Sequence, residues 1–115
     1  MYYTGSMSLI RIIIYSTTTG KEPYSVWEDT LDNKAKAIVK NRLDRIRLNN
    51  FGDAKVITGG GGIWELRIDH GPGYRIYFGK KGTSLVMLLI GGDKRSQRRD
   101  ITKAIQYWTN CKGLI

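Results

Sequence analysis

The sequence is poor in the residues that build stapled, metal-bound or membrane-spanning chains. It holds one cysteine, Cys111, one histidine, His70, and two prolines in 115 residues. A lone cysteine excludes a disulfide framework, and one Cys with one His is too few for a zinc site. The longest uninterrupted apolar run covers residues 85–90, far short of the roughly 20 residues that cross a bilayer. Residues 9–15 are apolar but are broken by Arg11 and follow no basic segment, so no secretory signal is expected. Anions are scarce too: ten Asp and Glu stand against nineteen Lys and Arg, a net charge of +9. The length suits one domain, and a 41% apolar fraction excludes wholesale disorder. A cytoplasmic protein with a polyanionic partner is expected, nucleic acid first and an anionic membrane surface second.

The excess charge is unevenly placed. Residues 34–47 carry six cations and one anion, and residues 76–115 carry eight and two. The first group is Lys34, Lys36, Lys40, Arg42, Arg45 and Arg47; the second is densest at Lys94, Arg95, Arg98 and Arg99. Residues 48–75 balance at three and three. Each cluster is either a solvated helix face or a contact for phosphates.

Periodicity gives the order β-α-α-β-β-β-β-α, an α+β domain over 9–115 preceded by a polar extension, residues 1–8. Pro23 opens a short helix. Asp32 or Asn33 caps a second, whose apolar stripe is Leu31, Ala35, Ile38, Val39, Leu43 and Ile46. Strands alternate over 64–69 and 74–78, and the all-apolar run 85–90 reads as a central strand. Ser96 is placed to cap a last helix with Ile101, Ala104, Ile105 and Trp108 inward. The four glycines 59–62 lead into a strand rather than a helix, which argues against a phosphate loop. No nucleophile elbow accompanies His70.

One constellation survives. Alternation sets Glu65, Arg67, Asp69, Arg75 and Tyr77 opposite the apolar residues, with Lys55 beside them and Asp93, Lys94 and Arg95 at the end of the meander. If that sheet face is uncovered, it offers arginine forks for a phosphodiester and a tyrosine for a base. Ordinary cross-strand pairing on a solvated face explains the same pattern.

The strings Gly20-Lys21-Glu22-Pro23-Tyr24, Phe51-Gly52-Asp53-Ala54-Lys55, Glu65-Leu66-Arg67-Ile68-Asp69, Gly71-Pro72-Gly73-Tyr74-Arg75-Ile76-Tyr77-Phe78 and Gly91-Gly92-Asp93-Lys94, with Tyr107-Trp108, resemble the HigB-like addiction module killer proteins. These are also called the phage-derived Gp49-like family, within the RelE/ParE toxin superfamily, and the resemblance spans about residues 9–109. It implies an N-terminal helical hairpin and a C-terminal helix on a small curved antiparallel sheet. It implies a toxin of a type II toxin–antitoxin system that cuts mRNA in the ribosomal A site by attack of the 2′-hydroxyl, with no metal or cofactor. Carried onto this chain, Arg75 stabilises the phosphate and Arg67 is second. Lys94 or Arg95 assists the leaving group, Tyr77 stacks a base or shares a proton, and Lys55 is a base if it is desolvated; His70 is another candidate base, one that the family pattern does not supply. Arg95, Arg98, Arg99, Lys34, Lys40 and His70 are expected to hold RNA. The implied partners are the ribosome, mRNA and a helix-turn-helix antitoxin encoded next door. Trp27 and the hairpin are candidate antitoxin contacts, with core packing the alternative for Trp27. The same fold hosts ParE-type gyrase poisons, and a non-catalytic basic RNA-binding domain is a further alternative.

Overall fold

The computed structural model describes residues 9–115; the extension expected over residues 1–8 lies outside the described residues. The elements are β1 (Arg11–Ile14), α1 (Pro23–Asp29), α2 (Asn33–Arg47), β2 (Ala54–Val56), β3 (Ile63–Ile68), β4 (Tyr74–Lys81), β5 (Leu85–Asp93) and α3 (Gln97–Cys111). Both helices of the hairpin start where local chemistry allows. Pro23 occupies the first turn of α1, where its missing N–H costs nothing. The Asp32 carboxylate accepts from the Ala35 N–H at 2.8 Å and caps α2. Asn49, at φ 66°, ends α2 with its N–H on the Ile46 carbonyl.

The open sheet has the order β1-β5-β4-β3-β2. Strands β2 to β5 form the expected antiparallel meander, but β1 pairs parallel to β5, with Ile12 opposite Val86 and Ile14 opposite Leu88. The sheet is therefore mixed rather than wholly antiparallel. Strand β1 pairs with β5 only after the helical hairpin and the other strands intervene, and such a crossover can bring a strand in parallel.

The condition set on the sheet face of the constellation is met only at one end: helices pack on both faces of the sheet, and the Arg67 and Arg75 end stays open. The hairpin covers one, where Tyr24, Ala35, Val39 and Ile46 meet Leu66, Ile76, Phe78 and Leu88. Helix α3 covers the other, where Ala104, Trp108 and Cys111 meet Ile63, Tyr77, Met87 and Leu89. An irregularity in the β4–β5 pairing matters here. Tyr77 faces Ile90 while Phe78 faces Leu88, so Leu89 is an extra residue. This bulge puts Leu89 and Ile90 on the α3 side together and reverses the alternation beyond them. Gly91 then lies under the Trp27 ring and Gly92 under the Asp100 carboxylate, each too close for a side chain.

Helix α3 begins differently from expectation. Ser96 caps none of its N–H groups. Instead Asp93 caps a 3-10 turn, Lys94–Ser96, by accepting from the Arg95 N–H at 2.8 Å, and the Ser96 hydroxyl donates to Asp100. Close packing of α3 rests on Gly79, where a Cβ would stand 2.4 Å from the buried Trp108 ring. Gly79→Ala is expected to destabilise the protein by about 1–3 kcal/mol through overpacking. Gly113→Ala, with nothing within 4 Å, is expected to be neutral. Urea midpoints of the two variants check this.

Candidate functional site

The register of β3 and β4 sets Arg67 directly opposite Arg75. Like charges at opposed positions cost stability unless something compensates. On Arg67 the compensation is Asp53, from the loop before β2: Nε and Nη2 both donate to its Oδ1, at 3.2 and 2.8 Å. That bond and the Asp53 charge raise the Arg67 pKa, so the group stays a cation. Lys94, just after β5, completes an open cleft of about 370 Å³ lined by Asp53, Arg67, Asp69, Gly73, Arg75 and Lys94. The fold thus gathers three of the residues expected to do chemistry, Arg67, Arg75 and Lys94, around one volume. Among the described residues, neither Lys94 nor Asp69 has an ion-pair partner.

Behind Arg75 lies a buried polar cluster. Glu65 is fully buried, and its Oε2 accepts from the Tyr77 hydroxyl at 2.9 Å and the Gln97 amide at 2.7 Å. The Arg75 Nε is 4.0 Å from the same oxygen, close enough for charge attraction and too far for a hydrogen bond. Both that Nε and the Glu65 Oε1 are buried without a partner. Burial first, then the Glu65 carboxylate, push the Tyr77 pKa far up, with Arg75 opposing. The phenol is therefore held protonated and donating to Glu65.

Two expectations change on this geometry. Tyr77 faces α3 inside the core, so it offers no free ring to a base as placed. Lys55 stands opposite Glu65 in register, but on the exposed edge strand β2, without the burial its role as a base requires. The expected exposed pairing of Glu65 is replaced by the buried cluster with Tyr77 and Gln97.

A second, larger cleft of about 620 Å³ is lined by a different set of residues. Its walls include Trp27, Tyr74, Asp93, Arg95, Arg99 and Asp100. Trp27 packs on Tyr24 and meets Tyr74 edge to face, at 5.9 Å and 73°, while one side stays open to the cleft. Arg95 is bound to the Asp93 carboxylate at 3.2 Å, and Arg98 and Arg99 are exposed on the first turn of α3. His70 lies in the β3–β4 turn beside the Tyr74 ring. Lys34 and Lys40 are exposed on α2, and Lys40 pairs with Asp44 and lines a different groove, so neither reaches these clefts. Among the described residues no three His, Cys, Asp or Glu side chains gather as a metal-ligand set. Nor is any helix among them long and apolar enough to cross a membrane.

Sequence reasoning passed over Arg42, grouping it with the solvated cations of α2. It is half-buried, and its Nη1 donates to the Arg67 carbonyl at 3.0 Å, holding β3 from behind the cleft. Burial and then Arg45 lower its pKa, with Asp53 opposing. The available signal was spacing: Arg42 stands four residues from both Ile38 and Ile46, at the edge of the apolar stripe.

The family model for phage-derived protein Gp49-like matches residues 27–108, which include every residue of both clefts. An uncharacterized protein of Haemophilus influenzae is 45% identical over 82 residues, covering 70% of this chain and 81% of that one. The chain belongs to the phage-derived Gp49-like family, a family of toxin–antitoxin toxins, and that membership implies an antitoxin partner.

Proposed function

We propose that this toxin is a HigB-like, ribosome-dependent mRNA endoribonuclease of the cytoplasm. The observation that carries the reading is the convergence of Arg67, Arg75 and Lys94 on one cleft beside the unpaired Asp69. A phosphodiester seated there has its non-bridging oxygens against the Arg75 and Arg67 guanidiniums, which match phosphate oxygens in pairs. The 2′-hydroxyl of the preceding ribose loses its proton to Asp69 and attacks phosphorus, forming the O2′–P bond. Charge grows on the non-bridging oxygens and is met by arginines already in place. The P–O5′ bond breaks as Lys94 gives a proton to the leaving 5′-oxygen. The products are a 2′,3′-cyclic phosphate and a 5′-hydroxyl. Atoms and charge balance with no external reactant.

The exposed cations of α2 and of the tail serve a separate purpose: they hold rRNA and mRNA backbone. Affinity for RNA then falls steeply with salt. The cognate antitoxin is a helix-turn-helix protein encoded beside the toxin. Separate labelling of translation and replication after induction tests the reading. Translation is expected to stop first, with replication continuing. Replication arrest with DNA-damage signalling and continued translation would instead identify a gyrase poison, and harmless overexpression would identify a non-catalytic RNA-binding domain.

A further inference from the structure

We infer that Arg42 is a positioning residue, which fixes Arg67 in the phosphate cleft from the far side of the sheet. The inference rests on the proposed nuclease reading for the reaction and goes beyond it in assigning a residue that touches no substrate. Arg42 stands on α2 and does not line the cleft. Helix α2 packs on the face of β3 that carries Leu66 and Ile68. Arg67 lies between those two and points the other way, into the cleft.

The end of the β2–β3 ladder explains why a side chain is needed there. The last paired residues are Ala54 and Leu66. One further bond follows, from the Arg67 N–H to the Asp53 carbonyl at 2.8 Å. In an antiparallel ladder, residues opposed in this way exchange two bonds. Among the described residues the return bond, from the Asp53 N–H, is not made. Arg42 takes its place, with Nη1 donating to the Arg67 carbonyl at 3.0 Å. Gly52 admits the guanidinium: a Cβ there would stand 3.0 Å from the Arg42 Nη2. That Nη2 is buried without a partner, which costs stability, at a residue whose other nitrogen reaches Arg67. Arg67 is therefore held at its N–H and its guanidinium by Asp53, and at its carbonyl by Arg42. Without Arg42 the carbonyl loses its donor, and the end of β3 and the Asp53 loop are free to shift together. The guanidinium in the cleft then leaves the place where a phosphate oxygen needs it, although nothing in the cleft itself has changed.

The test uses the full chain. Arg42→Met keeps a long side chain and removes its charge and its donors, whereas Arg42→Lys keeps the charge and a donor. Cleavage of mRNA on programmed ribosomes gives kcat and KM, and the nitrogen-15 signal of the Arg67 Nε–H reports its bond to Asp53. Arg42→Met is expected to lower kcat about ten- to a hundredfold, the cost of a misplaced reacting group, and to change KM by less than about twofold. It is expected to move the Arg67 signal and leave the Gln97 side-chain amide signal in place. Arg42→Lys is expected to recover part of both losses. Gly52→Ala crowds the guanidinium while leaving Arg42 present; it is expected to move kcat and the Arg67 signal the same way, and with Arg42→Lys it decides the matter if Arg42→Met does not fold. A fall in kcat with the Arg67 signal unmoved marks a merely structural tie and overturns the proposal. A moved signal with kcat retained also overturns it, as does a change confined to KM, which would make Arg42 an RNA contact. If the Arg67 signal moves in Arg42→Met but the parent protein cuts no mRNA, the hold of Arg42 on Arg67 stands and the nuclease reading fails.

Discussion

Arg75→Lys is expected to abolish toxicity in induced cells while leaving a folded protein. Arg75 faces two ways. Its side chain, 14% exposed, reaches the open cleft, while its Nε lies near the buried Glu65 carboxylate. Alanine removes both relations, so loss of toxicity in Arg75→Ala could arise from a weakened fold as well as lost chemistry. Lysine keeps a positive charge near Glu65 but loses the planar fork that meets two phosphate oxygens at once. Loss of a preorganised donor to a developing oxyanion costs about 10²–10³ in turnover, enough to turn growth arrest into growth. Viable counts after induction measure this, with thermal unfolding as the control for structure. Arg67→Ala is expected to have a smaller effect, because Arg67 is partly engaged by Asp53. Full toxicity in a folded Arg75→Ala or Arg75→Lys protein contradicts the assignment.

Glu65→Ala carries the largest expected loss of stability. The variant removes the acceptor of both the buried Tyr77 hydroxyl and the part-buried Gln97 amide, leaving at least the phenol unpaired away from water. Each such group costs about 1–3 kcal/mol, and breaking a buried charged cluster by removing one partner costs roughly 3–5 kcal/mol. Glu65→Gln keeps an acceptor of the same shape and is expected to lose less. The shift in urea midpoint, read with an unchanged slope, measures the difference. The cluster also ties α3 to β3 through Gln97 and stands behind Arg75, so Glu65→Gln is expected to lower toxicity more than its stability loss explains. A Glu65→Ala protein within about 0.5 kcal/mol of the parent would show that the cluster contributes little.

The sequence was most informative where a period or a cap has one physical reading. The stripe from Leu31 to Ile46 has one buried face, and Asp32 before it has one use, so the hairpin and its capping followed directly. Alternation over Trp64 to Ile68 correctly separated the two faces of the sheet, but alternation alone does not say what covers each face. Glu65 and Tyr77 were read as exposed because one is charged and the other polar. In the fold they satisfy each other under α3, a pairing between residues twelve positions apart. A contrary signal was present. Residues 85–90 of β5 are apolar on both faces, which calls for a cover on both sides, and the stripe of Ala104 and Trp108 had to be buried somewhere. The parallel pairing of β1 depends on a crossover that no local pattern encodes.

The candidate site was legible in part for a similar reason. Arg67, Arg75 and Lys94 stand at strand positions and a strand end that short turns bring together, so counting residues sufficed. Arg42 and the aromatic cleft depend on packing between the hairpin and the sheet. Trp27 meets Tyr74 only because Gly91 admits its ring, and the bulge at Leu89 determines which face Gly91 occupies. Such a slip in register cannot be read from apolar residues that fit either face equally well.

The account's central claim is that the Arg67, Arg75 and Lys94 cleft cuts mRNA through the 2′-hydroxyl. Sequencing of RNA 5′ ends after induction, with ligation specific for 5′-hydroxyl termini, tests it most directly. New 5′-hydroxyl ends are expected within translated reading frames, absent when ribosomes are kept off the message and absent in the Arg75→Lys strain. Growth arrest by the parent protein with no new 5′-hydroxyl ends in any message would contradict the claim.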